Sequence, residues 1–379
     1  MPSELTLDYL LKKMVEKGAS DLHISAFSPP RYRIDGQLNP LDDAVITPEM
    51  AIKLCTEKLN EAQIKKLNEH KELDYSFGVA GLSRFRVNCY FDKYTMSGAF
   101  RALPEKIPTP EQLGLPEKLS EIIHKPNGLV LVTGATGSGK STTIASLMDQ
   151  INALRKEHMI TVEDPIEYIF EHKKCLIHQR EVGEHTLSFA NGLKYLLRQD
   201  PDIVLIGEMR DLETVRTAIT VAETGHLVFA TLHTNTAVQT IDRIIDVFPP
   251  NQQPQVRSQL GFILEAVLSQ HLLPKIGGGR CLAIEMLFPN HGIRNLIREG
   301  KTHQIYALMQ SGQTESGMIT MNQALIALAA KGIVEMTVAR EYSPDVGEFD
   351  NLWKKTRRPT GMNTQSHAAN LANPNAHRA

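Results

Sequence analysis

The stretch Gly134-Ala-Thr-Gly-Ser-Gly-Lys140-Ser141 follows the pattern Gly-x-x-x-x-Gly-Lys-Ser. The apolar run before it, residues 128–133, is typical of a buried strand, and residues 141–148 after it have the apolar spacing of a helix. A glycine loop between a strand and a helix is the context that a P-loop requires. Its glycines let backbone N–H groups turn towards a polyphosphate, and the helix N-terminus adds positive potential. We therefore expect the chain to bind ATP or GTP.

The predicted nucleotide site comprises the loop and the start of the helix that follows it. We expect Lys140 to reach the β- and γ-phosphates and the Ser141 hydroxyl to bind Mg²⁺. ATP and Mg²⁺ are the predicted cofactors. The residues predicted to bind them are Gly134, Ala135, Thr136, Gly137, Ser138, Gly139, Lys140, Ser141 and Thr142.

The composition narrows the class of protein. A chain of 379 residues is long enough for two domains, each with its own core. Its formal net charge of -2 at pH 7 gives no basic footprint, so we expect no nucleic-acid partner. No apolar stretch approaches the length of a membrane span, and the N-terminus lacks the apolar core of a signal peptide. We therefore expect a cytoplasmic protein that associates with a membrane only through partners.

The pattern of predicted elements divides the chain into two domains. Residues 1–103 mix helical stretches, one of them at 48–67, with short strand patterns that include 44–46, which predicts a small α+β domain with an antiparallel sheet. Residues 104–116 contain four prolines, which predict an irregular interdomain linker. Strand and helix patterns alternate in residues 117–343, which predicts a parallel-rich sheet covered by helices. Residues 344–379 lack periodicity, and we expect a mobile tail there.

Within the second domain, the positions of the strands and helices follow from the apolar pattern. From Gln252 to about Tyr342 the pattern is mostly helical. The predicted strands are 128–133, 158–163, 202–207, 226–232 and 280–287. The predicted helices lie near 141–154, 188–198, 211–223 and 236–247.

Two strand patterns of the second domain end in carboxylates. One leads into Glu163, Asp164 and Glu167, and the other ends in Glu208, preceded by Gly207 where many P-loop proteins have Asp. A P-loop needs acids on neighbouring strands to hold Mg²⁺ and to orient the attacking water, and open α/β sheets bind ligands where their strands end. We expect Glu208 to bind Mg²⁺ directly or through water. Solvated carboxylates at a strand edge are the alternative, and geometry has to decide which carboxylate is the base.

A further strand pattern is bracketed by His226 and His233. His233 lies at the carboxyl end, on the ligand side of the sheet, where it could sense the γ-phosphate through a hydrogen bond. His226 lies at the opposite end, where a structural or relay role fits better. The two side chains are too far apart along the strand to bind one metal ion.

These segments together resemble the secretion-superfamily ATPases and, among them, the type IV pilus retraction motors of twitching motility, the PilT family. The resemblance extends to about residue 342 and includes the P-loop, the acidic segment 163–167, Glu208 and the histidine segment 224–234. The other segments that carry it are Gly18-Ala-Ser-Asp-Leu-His23, Ser83-Arg-Phe-Arg-Val-Asn88, Arg210-Asp-Leu-Glu-Thr214, Gln255-Val-Arg-Ser-Gln-Leu260 and Gly292-Ile-Arg-Asn-Leu-Ile-Arg-Glu299.

The resemblance implies a PAS-like N-terminal domain, a RecA-like C-terminal domain with ATP between the two, and a homohexameric ring. It implies that Glu167 is the general base, that Glu163 and Asp164 belong to the same acidic box, and that Glu208 is the Walker B acid. His226 and His233 correspond to the histidine pair of the family.

The resemblance also implies a role for Arg84, Arg86 and Arg101, which match arginines that approach the phosphates in trans or across the domain gap. A guanidinium fork can stabilise the charge of a transferring phosphoryl group. Surface or interdomain salt bridges are the alternative. The segment 292–299 matches one that the family ties to retraction and not to hydrolysis, with Gly292 where the family has Ala.

The expected function is that of a hexameric ATPase that drives pilus retraction from the cytoplasmic face of the inner membrane. There a platform protein at the base of the pilin fibre would receive its motion. Extension motors carry an added N-terminal region and a tetracysteine zinc site, and the absence of both favours retraction. The alternatives are a motor for pilus extension or type IV secretion, and a nucleotide-binding regulator that acts with a paralogous ATPase.

Overall fold

The computed structural model describes residues 5–34, 36–41, 44–104, 106–311 and 316–356. The N-terminal domain is built on a six-stranded antiparallel sheet in the order β3-β2-β1-β6-β5-β4. Its strands are β1 (Asp21–Ile24), β2 (Arg31–Ile34), β3 (Gln37–Pro40), β4 (Glu72–Val79), β5 (Ser83–Phe91) and β6 (Met96–Leu103). Its helices are α1 (Leu7–Glu16), α2 (Pro48–Thr56) and α3 (Glu61–His70).

Along β5, side chains alternate between the sheet face that packs on the core and the face on the other side. Phe85 and Val87 are fully buried in the core that the three helices share with the sheet. Arg84 and Arg86 project from the other face, because successive side chains of a strand point to opposite sides. The antiparallel register places Arg101 of β6 opposite Arg86. The three arginines therefore lie outside the core, on one face of the sheet.

Two details of this domain differ from the sequence prediction. Residues 44–46, predicted as a strand, have no regular structure, and the third strand is instead Gln37–Pro40. The helical stretch predicted over 48–67 is two helices, because Asn60 begins the second one by accepting a hydrogen bond from the Gln63 N–H at 2.9 Å. A side-chain oxygen at this position satisfies a donor that the helix start leaves open.

The proline-rich segment 104–116 contains one helical turn, α4 (Pro110–Leu113), which the prediction of an irregular linker missed. Pro110 occupies the first helical position, where no N–H donor is needed. The Thr109 N–H donates to the Gln112 side chain and the Gln112 N–H donates to the Thr109 hydroxyl, which completes a capping box. Proline therefore starts a regular element here.

The C-terminal domain is built on a seven-stranded sheet in the order β13-β12-β7-β11-β10-β8-β9, in which β13 runs antiparallel to β12 and the other neighbours pair in parallel. Its strands are β7 (Gly128–Thr133), β8 (His158–Glu163), β9 (Leu176–Glu181), β10 (Ile203–Ile206), β11 (Leu227–Leu232), β12 (Leu264–Pro274) and β13 (Arg280–Leu287). The predicted fold class, a parallel-rich α/β domain with a small α+β domain before it, is confirmed.

Helices cover both faces of this sheet. They are α5 (Lys140–Leu154), α6 (Phe189–Leu196), α7 (Leu212–Glu223), α8 (Ala237–Asp246), α9 (Gln253–Ile263), α10 (His291–Arg298), α11 (Ile305–Ser311), α12 (Met321–Ala330), α13 (Met336–Glu341) and α14 (Val346–Thr356), with 3-10 helices at Glu117–His124 and Thr302–Gln304. Within the described ranges, every helix is too short or too polar to cross a lipid bilayer.

The central strands are apolar along their whole length because both sheet faces are buried. Leu129 and Leu131 of β7 pack into the core with α6 to α9, whereas Val130 and Val132 pack into the core with α5. Parallel strands covered on both faces read as continuous apolar runs. This is why the sequence predicts β7, β8, β10 and β11 close to their observed bounds, and the antiparallel edge strand β13 is also predicted at its observed bounds.

Two strands of this sheet escape the sequence prediction. Strand β12 lies within the stretch from Gln252 that the pattern predicts as mostly helical, because a long apolar run suits a buried helix as well as a buried strand. Its pairing with β7 and β13 decides the outcome. Strand β9 contains His178, Gln179, Arg180 and Glu181, and its polar character is compatible with its place at the sheet edge.

The predicted mobile tail is wrong for its first part. Helix α14 packs on the domain with the Phe349 side chain fully buried. The Glu348 carboxylate accepts a hydrogen bond from Asn322 Nδ2 at 2.6 Å, and Arg340 pairs with Asp350 at 2.9 Å. The sequence pattern missed this because one buried aromatic anchors the helix and most of its other side chains are polar. Residues 357–379 of the predicted tail lie outside the described residues.

Replacing Phe349 with alanine tests whether α14 is part of the domain. The substitution empties a fully buried aromatic site, so we expect the free energy of unfolding to fall by about 3–5 kcal/mol. Thermal unfolding of Phe349→Ala and of the control Val346→Ala, whose side chain is 38 % exposed, measures the difference. Equal melting temperatures for the two variants would show that α14 contributes no packing energy.

Candidate active site

Four parallel strands end at the same edge of the seven-stranded sheet. Gly134 follows β7, His233 follows β11, Asp164 follows β8, and Glu208 lies two residues beyond β10. Strand β11 lies between β7 and β10, so the glycine loop and Glu208 are two strand spacings apart, roughly 10 Å. The prediction that the acids lie on strands next to the P-loop strand is wrong in this respect.

The loop between β7 and α5 is tightly packed and has a hydroxyl donor available for an anion. Gly134 has φ 141°, and a Cβ atom there would lie 2.4 Å from the Gln270 carbonyl oxygen and 2.5 Å from Ser138 Oγ. Gly139 has φ 90°, which also favours glycine. Among the described residues, the buried Ser138 Oγ has no hydrogen-bond partner. The loop can therefore offer this hydroxyl to a bound anion.

Lys140 begins α5 and folds back over the loop. Its Nζ donates to the carbonyl oxygens of Gly134 at 2.8 Å and Ala135 at 3.0 Å. Burial lowers the pKa of Lys140, and the negative charges of Glu208 and Glu167 oppose this effect. The ammonium group therefore lies within electrostatic reach of both acids.

A small pocket opens between α5 and the acidic segment 163–168. Ser141, Glu163 and Glu167 line it together with the ends of β10 and β11. Its remaining walls are formed by Ile144, Ala145, Tyr168, Phe170, Leu205, Gly207 and Thr231. Three of the predicted site residues therefore share one pocket.

Thr142 faces the same segment and fixes it by a hydrogen bond. The hydroxyl groups of Thr142 and Tyr168 lie 2.9 Å apart. Because Tyr168 follows Glu167 directly in the chain, this contact ties the first turn of α5 to the acidic segment. In this structure Thr142 therefore holds the acidic segment in place, through Tyr168.

Glu163 is the most enclosed carboxyl group of the acidic segment. Burial raises its pKa to about 7, against the effect of hydrogen bonds from the Thr161 hydroxyl at 2.6 Å and the Gln179 amide at 3.2 Å. Glu167 raises the pKa of Glu163 further. A carboxyl group that holds its proton up to neutral pH is a poor permanent anion, so Glu167 is the better candidate for activating water.

Glu208 is held between two nitrogen donors. Arg210 Nη2 donates to Glu208 Oε2 at 2.7 Å, and this hydrogen bond lowers the pKa of Glu208. His233 Nε2 lies 3.2 Å from Glu208 Oε1. The structure thus places His233 at the carboxyl end of β11 as predicted, in contact with the Glu208 carboxylate.

The glycine before Glu208 has a steric reason. A Cβ atom on Gly207 would lie 3.1 Å from Glu163 Cα and 3.2 Å from the Val162 carbonyl oxygen. The Gly207 carbonyl oxygen also accepts a hydrogen bond from the Thr231 hydroxyl. A larger residue at this position would therefore need the backbone of β8 to shift by a few tenths of an ångström.

His226 does not join the pocket. It precedes β11, and His233 follows the strand, so the two side chains are roughly 20 Å apart. The His226 ring contacts the Val221 carbonyl oxygen at 2.9 Å and Thr224 Oγ1 at 3.1 Å. These contacts close the end of α7 and support the structural alternative for His226 within this chain.

The three predicted arginines do not contact the P-loop in this structure. Arg101 pairs with Asp21 at 2.8 Å inside the N-terminal domain. Arg86 is exposed. Arg84 Nη2 lies 3.4 Å from Glu181 Oε2, so Arg84 is the one that reaches the second domain. The salt-bridge alternative describes Arg84 and Arg101 here.

Two residues of β9 that sequence reasoning did not select hold the acidic segment. Gln179 donates to the Tyr168 carbonyl oxygen at 2.7 Å and accepts from the Phe170 N–H at 2.9 Å. Glu181 accepts from the Ile166 N–H at 3.2 Å. The signal that could have found them is the polar run 178–181, in which Gln179 and Glu181 are two residues apart and therefore share one face of a strand.

Arg294, in the segment expected to serve retraction, is a packing residue and does not lie on a solvated helix face. Its guanidinium donates to the carbonyl oxygen of Phe262 at 2.8 Å and pairs with Glu265 at 2.7 Å. Gly261 packs against the same helix, where a Cβ atom would lie 2.9 Å from Arg298 Cγ. These contacts lock α10 onto the junction of α9 and β12.

Within the described ranges, no three histidine, cysteine or acidic side chains cluster closely enough to hold a metal ion by themselves. The pocket is lined by hydroxyl and carboxylate oxygens that include Ser141 and Glu167, and Glu208 lies at the same edge of the sheet, beyond β10. Oxygen ligands suit Mg²⁺, which commonly keeps several waters and binds through one or two protein ligands plus substrate phosphates. The donor set therefore fits Mg²⁺ as the companion of a bound nucleotide.

The fold and the site define a P-loop protein of the RecA-like class with carboxylates facing the loop. The chain belongs to the family described as Type II/IV secretion system protein, whose model matches residues 1–331. The resemblance to this superfamily is thereby confirmed.

Individual relatives agree with this assignment. The type IV pilus retraction ATPase PilT of Pseudomonas aeruginosa is 48% identical over 332 residues, which cover 88% of this chain and 96% of the relative. A twitching motility protein of Neisseria gonorrhoeae is 45% identical over 316 residues, 83% of this chain and 84% of the relative. A crystal structure of the pilus retraction motor PilT with bound ADP superposes with a TM-score of 0.87 at 53% identity, covering 92% of this chain and all of the other.

Substitutions of Gly207 test the steric reason for the missing aspartate. Gly207→Ala overpacks the contact between β8 and β10, which costs about 1–3 kcal/mol, and Gly207→Asp adds a charge beside Glu163. We expect both variants to melt at lower temperature and to hydrolyse ATP more slowly. Gly292→Ala is the matched control, since its Cβ atom meets Asn290 Oδ1 at 3.4 Å. A stable Gly207→Asp variant with undiminished turnover would contradict this account.

Proposed function

We propose that this chain is a motor ATPase that drives type IV pilus retraction and twitching motility. The observation that carries the proposal is one pocket in which Ser141 of the P-loop faces Glu167, with the Lys140 ammonium group within electrostatic reach of the same carboxylate. The similarity to a pilus retraction ATPase along most of both chains supports the choice of pilus retraction among the functions of the family.

In the proposed reaction ATP is the substrate and its γ-phosphate lies between the P-loop and the acidic segment. Lys140 leaves the carbonyl oxygens of Gly134 and Ala135 and binds the β- and γ-phosphate oxygens, which are stronger acceptors. Glu167 accepts a proton from the water that attacks the γ-phosphate. Glu208, oriented by Arg210 and His233, helps to position that water and the phosphate.

Ser141 and Glu208 are the residues that we propose to hold Mg²⁺. The Ser141 hydroxyl would hold the ion, and Glu208, whose two oxygens already contact Arg210 or His233, would help to hold it directly or through water. When bound, Mg²⁺ neutralises charge that develops on the phosphate oxygens.

We propose that residues 1–103 and 117–343 move as two rigid bodies about the segment 104–116. A movement of the N-terminal domain towards the P-loop would bring the arginine face of β5 and β6 towards the phosphates. Arg84 is the first candidate, because it already reaches the second domain. Product release would then reopen the interface and complete one mechanical step.

The proposed partners follow from the same assignment. We propose a homohexameric ring that acts at the cytoplasmic face of the inner membrane. It would transmit domain motion to a platform protein at the base of the pilin fibre. A motor for pilus extension or secretion, and a regulator that needs a paralogous ATPase, are the competing functions.

Counting surface pili separates these functions. In cells whose only copy carries Glu208→Ala, we expect abundant pili and no twitching, because assembly continues while removal stops. Glu341→Ala changes an exposed glutamate and serves as the control, with normal pili and motility. Bald Glu208→Ala cells would show that the protein builds fibres, and unchanged pili and motility would favour secretion or regulation.

A further inference from the structure

The Glu181 side chain connects the two domains at one buried point. It is 7 % exposed and lies at the end of β9, the edge strand of the second domain. The Ser76 hydroxyl of the N-terminal domain lies 2.9 Å from both of its carboxylate oxygens. The Ile166 N–H donates to Glu181 Oε2 at 3.2 Å. One carboxylate therefore binds the N-terminal domain and the acidic segment at the same time.

On the side of the acidic segment, Glu181 acts one residue away from the proposed base. Ile166 directly precedes Glu167, so the hydrogen bond from its N–H fixes the backbone from which the Glu167 side chain projects. Gln179 holds the part of the segment that follows, through Tyr168 and Phe170. Because a base works only when it is within hydrogen-bond reach of its proton, a small shift of this backbone matters.

On the side of the N-terminal domain, Glu181 ends a short chain of donors. Arg84 Nη2 donates to Ser76 Oγ at 2.7 Å, and the Ser76 hydroxyl donates to Glu181. Among the described residues, the buried Nε of Arg84 has no acceptor. A guanidinium with an unused donor is incompletely satisfied in this position. Arg84 can therefore exchange its contact with Glu181 for another acceptor when the N-terminal domain moves.

We propose that Glu181 is a positioning residue that couples the orientation of the N-terminal domain to the placement of Glu167. With Ser76 and Arg84 in place, the carboxylate is shared between the two domains. When they move away, Glu181 has the Ile166 N–H as its remaining partner, and the acidic segment is held differently. This inference rests on the proposed function, because it assumes that Glu167 is the base.

Steady-state ATP hydrolysis by the purified full chain tests the coupling. We expect Glu181→Ala to lower kcat roughly ten- to hundred-fold while KM for ATP stays within about three-fold, since the base is displaced and the P-loop is not. Glu181→Gln keeps an acceptor for the Ile166 N–H and should recover most of the lost kcat. Ser76→Ala removes the hydrogen bond from the Ser76 hydroxyl to the Glu181 carboxylate and leaves the backbone contact of Glu181 in place, so it should lower kcat by a smaller factor, roughly five-fold.

A matched serine provides the control. Ser83 lies on β5, in the same sheet as Ser76, and its hydroxyl bonds to the Leu103 carbonyl oxygen within the N-terminal domain at 2.7 Å. Ser83→Ala should keep the kcat of the unmodified chain. If Ser76→Ala and Glu181→Ala also keep it, with native melting temperatures, the coupling is disproved.

A double substitution separates this inference from the proposed function. In the background of Glu167→Gln, adding Glu181→Ala should change the residual rate less than two-fold, because the residue through which Glu181 acts is already lost. A full additional loss would show that Glu181 does not act through Glu167. If Glu167→Gln alone remains active, the proposed base is wrong, whatever the Glu181 variants do.

Discussion

The site depends on the neutralisation of carboxylates at the edge of the sheet where the proposed polyphosphate binds. Burial raises the pKa of Glu163 to about 7, so this carboxyl group can lose its charge near neutral pH. Glu208 is paired with an arginine and a histidine, and Glu181 with a serine and an arginine. Of the carboxylates that line the pocket, Glu167 is the one without an ion pair or a hydrogen bond from another side chain within the described ranges. The neighbouring carboxyl groups have hydrogen-bond or ion-pair partners, whereas Glu167 is available to accept a proton from water.

This arrangement explains why the sheet order matters. Strand β11 separates the P-loop strand from β10, which leads to Glu208 at a spacing of roughly 10 Å from the loop, and β8 with the acidic segment lies one strand further along. A Cβ atom at Gly207 would press on the backbone of β8, which is where Glu163 lies next to the segment of Glu208. The acidic segment cannot hold this geometry alone, and the side chains of β9 fix its backbone.

The sequence was sufficient where a strong local pattern decides the structure. The P-loop, the buried strands and the carboxylates at their ends follow from apolar runs and from glycine and acidic residues in order. It was insufficient where tertiary contacts decide. Strand β9 is polar, α14 depends on one buried phenylalanine, and Glu181 acquires its role only when Ser76 and Ile166 meet it in space. The placement of His226 away from the pocket follows from strand length, but its role inside a histidine pair rested on resemblance alone.

A single-turnover measurement tests the central claim that Glu167 is the base. Pre-bound ATP is hydrolysed by excess purified enzyme, and the rates of Glu167→Gln and Asp164→Asn are compared with that of the unmodified chain. The two substitutions remove neighbouring charges of the same segment, and Asp164 is exposed. We predict that Glu167→Gln binds ATP and loses at least a hundred-fold in rate, whereas Asp164→Asn retains most of it. The opposite ranking, or equal loss in both variants, would contradict the assignment.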